Sequence, residues 1–110
     1  MMMVSNNMKI AFVTSHVPLC EVPNLLTKEK ICEKLKSINN TLIQDFGIRR
    51  PKIAVIGLNP HAGEDGMLGK EEEEIIIPAI QKSKEKDNVL SFGPYPADSF
   101  FTPANLNRFD

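Results

Sequence analysis

The sequence has no tryptophan, one tyrosine, two histidines and two cysteines among its 110 residues. Cys20 and Cys32 are too few for a disulfide framework and too far apart for the close pairs of a zinc site, so we expect them to be packing residues in a reducing cytoplasm. Thirteen Lys and Arg against 14 Asp and Glu give a net charge of −1 without a basic stretch, which predicts no nucleic-acid partner. No apolar run approaches the about 20 residues of a membrane span, and the N-terminus lacks the basic residues of a secretory signal. We therefore expect no membrane partner.

The composition is that of a single folded unit. Hydrophobic residues make up 42% and charged residues 25%, both ordinary values for a globular domain. A chain of 110 residues is too short for two independent cores, so residues 1–110 are predicted to form one unit, with residues 1–8 irregular. Three methionines at the start also lead us to expect a fragment of a longer protein.

The first half of the chain alternates between strand and helix patterns. Residues 9–14 are apolar and partly β-branched, which predicts a buried strand. A helical spacing of apolar residues begins after Thr27, a candidate N-cap, and ends near Gly47, a candidate C-cap. Residues 52–58 form a nearly continuous apolar run, typical of a strand covered on both faces, so a parallel βαβ unit is predicted. The buried face of the helix should comprise Ile31, Leu35, Ile38, Leu42 and Phe46.

The second half predicts a further helix and strand. The four glutamates at 71–74 suit the positive end of a helix and are expected to be solvated, and Pro78 should kink the helix or mark a boundary. Residues 88–92 are predicted as a third strand. The two prolines within 93–98 should exclude regular structure there, and a short helix is expected near 104–109. The core face of the glutamate-led helix should comprise Ile75, Ile76, Ile77 and Ile80.

Three polar residues follow the three predicted strands: His16, His61 and Asp98. Ligands of open parallel sheets bind at the carboxyl ends of the strands, so we expect these side chains to face one crevice. Two imidazoles and a carboxylate can bind a divalent transition metal, and they can equally act as a base and its orienting group. A histidine in a loop is more often an ordinary surface residue. The hypothesis of a functional site therefore rests on the positions of both histidines at the ends of predicted strands.

The glycine-rich residues 59–69 do not form a known nucleotide motif. Five residues rather than four separate Gly63 from Gly69, and Lys70 is followed by Glu71 rather than Ser or Thr, so the P-loop pattern fails. Gly57 has no second glycine two positions later, as a dinucleotide fingerprint requires. No residue of a nucleotide site can be assigned from these patterns.

Five motifs occur in order: TSHVPL from residue 14, GLNPHAGE from residue 57, GKEE from residue 69, IPAI from residue 77 and GPYPAD from residue 93. Together they resemble the middle of the 4-hydroxythreonine-4-phosphate dehydrogenase family, known as PdxA. The Leu-Asn-Pro-His-Ala-Gly block is highly specific for that family. The resemblance runs from about residue 9 to residue 109 and includes the spacing of the two histidines.

This resemblance implies an α/β fold of parallel βαβ units, similar to isocitrate and isopropylmalate dehydrogenases. It implies an NAD-dependent enzyme that oxidises and decarboxylates 4-phosphonooxy-L-threonine to 3-amino-2-oxopropyl phosphate in pyridoxal 5′-phosphate biosynthesis. Family members are homodimers in which three histidines from both subunits hold a divalent metal: zinc, magnesium or cobalt. By motif, His16 and His61 match two of these ligands, and Asp98 matches an acid that keeps the site in order.

The chain departs from the family in its extent. Family members are longer, and their Tyr-His-Asp-Gln-Gly segment, which carries the third histidine, would follow Asp110. We therefore expect the isolated chain to bind metal weakly and to lack dehydrogenase activity. Two alternatives stay open: a relative that acts on a phosphorylated threonate or erythronate, and a non-catalytic α/β module.

Overall fold

A computed structural model describes residues 2–4, 8–59 and 69–110. Helices alternate with strands, and one strand pair is parallel, so the fold is α/β as predicted. The candidate ligand His61 lies outside the described residues.

The elements are β1 (Met2–Val4), β2 (Lys9–Ala11), a 3₁₀ turn (Leu19–Glu21), α1 (Val22–Leu25), α2 (Lys28–Gln44), β3 (Lys52–Ile56), a π-helical turn (Glu72–Ile76), α3 (Ile77–Asp87), β4 (Leu90–Tyr95), α4 (Ala97–Phe100) and α5 (Pro103–Arg108).

The parallel unit is β3–α3–β4. Lys52 lies opposite Leu90 and Ile53 opposite Ser91, and α3 packs against both α2 and β4. Helix α3 begins directly after the π-helical turn, and Pro78 is its second residue. Pro78 therefore lies at a boundary between helical segments, which is one of the two outcomes we predicted for it. Proline has no N–H to donate to the preceding turn, and the backbone changes from a π-helical to an α-helical turn at this position, where the Ile77 N–H donates to the Glu72 carbonyl.

Strand β4 continues through three residues, 93–95, where we expected no regular structure. Phe92 lies opposite Ala54 and Tyr95 opposite Ile56, so β4 has one more residue than β3 across this interval. Such a bulge interrupts the ladder of hydrogen bonds and accommodates Pro94, which follows a cis peptide bond. The prediction for residues 93–98 was therefore wrong, and Ala97 and Asp98 begin α4.

Helix α2 confirms the predicted helical pattern at both ends. The Thr27 side chain accepts a hydrogen bond from the Lys30 N–H at 3.1 Å. Beyond Gln44, Gly47 has a φ of 69°, and the Ile48 N–H donates to the Leu42 carbonyl at 3.0 Å. Phe46 does not complete the buried face: its ring is exposed, with the Lys9 ammonium 5.0 Å from its centroid.

The first strand differs from the prediction. β2 ends at Ala11, its residues are half-buried, and Phe12 is exposed. It pairs in antiparallel fashion with β1, so residues 2–4 are not irregular. β2 and β3 belong to different sheets, so the predicted βαβ unit over residues 9–58 does not appear as directly paired strands.

The core lies between α2, α3 and β3. Cys32 packs against it, and its thiol donates to the Ala79 carbonyl at 3.5 Å, whereas Cys20 is exposed and is not the packing residue we expected. Ile77 is also exposed, unlike its neighbour Ile76. No helix in the described ranges is long and apolar enough to cross a membrane. The buried cluster comprises Leu26, Ile31, Leu35, Leu42, Ile53, Ile76, Ala79 and Val89.

Candidate functional site

Three segments that carry predicted site residues line one apolar cavity. Thr14, Leu58 and Phe100 all border a space of about 410 Å³ between β2, α2 and β3. Thr14 precedes His16 by two positions, and Phe100 follows Asp98 by two. The fold thus brings these segments to a common region, but neither His16 nor Asp98 lines the cavity itself, and a crevice shared by the three predicted side chains stays a prediction.

His16 has an unusual backbone conformation. Its φ is 57°, in the left-handed region, and its side chain is exposed in the bend between β2 and the 3₁₀ turn. A non-glycine residue in this region costs of order 1–3 kcal/mol, and such residues cluster at functional sites. The conformation sets His16 apart from an ordinary surface histidine and supports its candidacy.

Asp98 is exposed at the second position of α4. The helix is anchored by Phe100, whose N–H donates to the Pro96 carbonyl at 3.0 Å and whose buried ring lies 5.1 Å from that of Tyr95. The short helix that carries Asp98 therefore has a well-packed support.

The donor types suit a divalent metal, since an exposed imidazole at His16 and an exposed carboxylate at Asp98 are ligands or supporting groups for zinc or cobalt. Among residues 2–4, 8–59 and 69–110, no three His, Cys, Asp or Glu side chains form a group that could hold a metal ion. The predicted set includes His61, which falls outside these ranges, so its assembly stays a prediction.

A hydrogen-bonded group that sequence reasoning missed connects Asn59 with Glu72. Glu72 is 2% exposed, and both of its carboxylate oxygens accept hydrogen bonds from Asn59. The Asn59 backbone N–H donates at 2.7 Å and its side-chain amide at 2.8 Å. The prediction of a fully solvated glutamate run is therefore wrong at Glu72, because a partner 13 positions earlier satisfies the buried carboxylate.

The same amide also binds Glu71. Its second N–H donates to a Glu71 carboxylate oxygen at 2.6 Å. This hydrogen bond is the main reason that the pKa of Glu71 lies below its ordinary value; hydrogen bonds from backbone N–H groups add to the effect and partial desolvation opposes it. Local patterns give no signal for these contacts, and only the presence of Asn59 and Glu72 in two family-specific motifs could have drawn attention to them.

Gly69 completes the group. Its φ is 141°, and a Cβ at this position would overlap the Asn59 side chain. The Asn59 amide is therefore packed directly against the backbone of residue 69 and hydrogen-bonded to residues 71 and 72.

Comparison with known proteins gives a match along the entire chain. Residues 1–110 match the family model described as "Pyridoxal phosphate biosynthetic protein PdxA". A protein of Bacteroides thetaiotaomicron named 4-hydroxythreonine-4-phosphate dehydrogenase is 48% identical over 110 residues, which are 100% of this chain and 30% of that protein.

Solved structures also match over nearly the entire chain. A 4-hydroxythreonine-4-phosphate dehydrogenase from Burkholderia phymatum superposes with a TM-score of 0.90 and 37% identity, and one from Klebsiella pneumoniae with 0.89 and 31%. Each alignment covers 99% of this chain and 33% of the solved chain. The chain thus spans about one third of the length of the relatives it matches.

Proposed function

The chain belongs to the PdxA family, and we propose that it supplies part of the active site of a 4-hydroxythreonine-4-phosphate dehydrogenase. The observation that carries the proposal is the family match over all 110 residues, together with relatives named for this activity. The left-handed conformation of His16, within one of the family motifs, agrees with a functional role for that residue.

In the reaction proposed for the whole enzyme, NAD accepts a hydride from the hydroxyl-bearing carbon of 4-phosphonooxy-L-threonine, and loss of carbon dioxide leaves 3-amino-2-oxopropyl phosphate for pyridoxal 5′-phosphate biosynthesis. A divalent zinc, magnesium or cobalt ion would lower the pKa of the substrate hydroxyl and stabilise negative charge. The enzyme is proposed to act in the cytoplasm as a homodimer.

Each candidate residue has a distinct proposed role. His16 and His61 would be metal ligands, and Asp98 would keep their surroundings in order. The exposed His16 imidazole can reach an ion from solvent, and the left-handed backbone restricts the directions in which it points. The third histidine, the NAD site and most phosphate contacts are proposed to come from parts of the enzyme beyond these 110 residues.

Calorimetric titration of the chain with zinc and with cobalt tests the ligand assignment. We expect saturable binding that is lost in His16→Ala and in His61→Ala. Cys20→Ser is the matched control, because Cys20 is an exposed thiol that could bind these metals by itself. Binding that survives both histidine substitutions and disappears with Cys20→Ser would reject the assignment.

A chimera tests the activity. These 110 residues would replace the matching segment of the Bacteroides thetaiotaomicron relative, and NADH formation with 4-phosphonooxy-L-threonine would be followed by absorbance. We expect turnover in the chimera, none in its His16→Ala variant and none in the isolated chain. A soluble, folded chimera without turnover would favour the alternative of a non-catalytic module.

A further inference from the structure

We propose that the free edge of β3 and the apolar cavity beside it form an interface for an extended, apolar strand from the remaining part of a PdxA-type enzyme. This inference rests on the proposed function, because it states where these 110 residues join the rest of such an enzyme. No residue of the interface is proposed to touch a metal or the substrate.

The first step of the argument is the direction of the backbone groups of β3. The Gly57 N–H donates to the Tyr95 carbonyl at 2.9 Å, so residue 57 faces β4. Successive residues of a strand direct their N–H and C=O groups to opposite sides, so Ala54 and Ile56 face away from β4. Within the described part of the chain, β4 is the only strand that pairs with β3. The outward groups of Ala54 and Ile56 therefore form a free edge.

The second step is that a main chain already pairs with this edge at its first position. Lys52 also faces away from β4, and its carbonyl accepts a hydrogen bond from the Asp110 N–H at 2.8 Å. The Lys52 N–H donates to the Asp110 carboxylate at 2.9 Å. A backbone can thus approach this side of β3, and the edge has two further positions for pairing, at residues 54 and 56.

The third step is the cavity next to the edge. Ala54 and Ile56 line the space of about 410 Å³ described above, together with residues of β2 and α2. β2 and β3 belong to different sheets, so one inserted strand could pair with β3 and lie beside β2. Phe12 and Phe101 also line the cavity and are 41% and 50% exposed. This lining favours a segment with apolar side chains, and the free edge favours an extended backbone.

The fourth step identifies the occupant. Edge strands that face solvent usually carry charged residues or proline, which prevent pairing with another chain. β3 carries one charged residue, Lys52, at the position that Asp110 already occupies. The solved relatives contain the same fold within a chain about three times as long, which supplies further segments that can cover the edge. A second copy would have to bring a whole sheet into a cavity lined by β2 and α2, whereas a single strand requires much less space.

Amide hydrogen exchange at single-residue resolution tests the interface in the isolated chain and in the chimera described above. In the isolated chain, the amides of Ala54 and Ile56 should exchange faster than those of Ile53 and Val55, which face β4 and are the matched controls. In the chimera, exchange at residues 54 and 56 should slow by about tenfold or more, since each amide gains a hydrogen bond. The amides of Ile53 and Val55 should change less.

Two results would overturn the inference. One is exchange at Ala54 and Ile56 that is as fast in the folded chimera as in the isolated chain, because the edge would then have no partner. The other is slow exchange at these amides in the isolated chain. Sedimentation would then assign the cover to a second copy if the chain is a dimer, and to the chain itself if it is a monomer.

A pair of variants provides a second measurement. Ala54→Pro removes an outward N–H without removing a bond to β4, and Ala54→Ser keeps that N–H and is the control. The difference between their urea midpoints should be larger in the chimera than in the isolated chain, and an equal difference would contradict the inference. If Ala54→Pro does not fold, the exchange measurement on the unmodified proteins decides. Failure of the proposed function is a separate result, since it appears as a folded chimera without NADH formation, and neither measurement requires turnover.

Discussion

Gly93 lies so close to the carbonyl oxygen of Val55 that no Cβ fits between them. The contact occurs where β4 bulges against β3, and Gly93 has a φ of 127° that residues with side chains rarely adopt. Both the conformation and the space therefore require glycine at this position.

Gly93→Ala should destabilise the chain by about 1–3 kcal/mol, because the bulge must shift to relieve the collision. Gly47→Ala is the control, since Gly47 also has a positive φ, 69°, but among the described residues no atom beyond its chain neighbours lies within 4 Å of the place a Cβ would take. Urea denaturation should show a larger loss for Gly93→Ala than for Gly47→Ala. Equal losses would mean that backbone strain alone, without the collision, determines the effect.

Leu42→Ala should cost about 2–5 kcal/mol, because Leu42 is only 2% exposed and its truncation opens a space in the core. Ile43, the next residue of α2, is 41% exposed, so Ile43→Ala should change stability by no more than about 0.5 kcal/mol. Thermal and urea unfolding of the two variants measure the difference. Similar losses would contradict the orientation of α2 described above.

Helix α2 was predictable because its signals are local: Thr27 caps its start, and apolar residues repeat at the spacing of a helix. β3 and α5 were predicted within two residues of their observed ends for the same reason. Pairing between distant segments was not predictable. Nothing local shows that Met2–Val4 would pair with β2, or that β4 would bulge around Pro94.

The candidate site also includes some residues that could be selected from the sequence and others that could not. His16 and Asp98 were selected from their positions after predicted strands and from the family motifs, and they stay predictions as functional residues. The burial of Glu72 depends on Asn59, and only the folded chain brings these two residues together. A run of four glutamates is usually solvated, so the local pattern predicted exposure of Glu72 rather than its observed burial.

His16→Gly should be more stable than His16→Ala by about 1 kcal/mol, because glycine adopts a left-handed φ without a steric penalty. Neither variant should bind metal through position 16. The pair Ser15→Gly and Ser15→Ala is the control: Ser15 has no positive φ, so there the alanine variant should be the more stable one. Urea midpoints of the four variants test the prediction, and the same order at both positions would refute it.

Asn59→Ala should raise the pKa of Glu71 toward its ordinary value of 4.5, because the largest cause of its lowered pKa is the hydrogen bond from the Asn59 side chain. The folded-state pKa lies below the unfolded value, so this carboxylate stabilises the fold above about pH 4.5, and the contribution is lost as the pH falls through the folded-state pKa. In Asn59→Ala the contribution should shrink. Carboxyl NMR titration of Glu71 measures the change, and Asn40→Ala, at an exposed amide of α2, should leave the titration unaltered.

The parallel pairing of β3 with β4 also has a consequence for the rate of folding. Lys52 and Leu90, which lie opposite each other, are 38 positions apart in the sequence, and no short turn can join two parallel strands. The chain loses conformational entropy when it closes this long loop, and only the pairing that follows offsets that loss. Helices α2 and α3, in contrast, form through contacts between residues a few positions apart. Helices should therefore appear early in refolding, and the arrival of β4 beside β3 should set the overall speed.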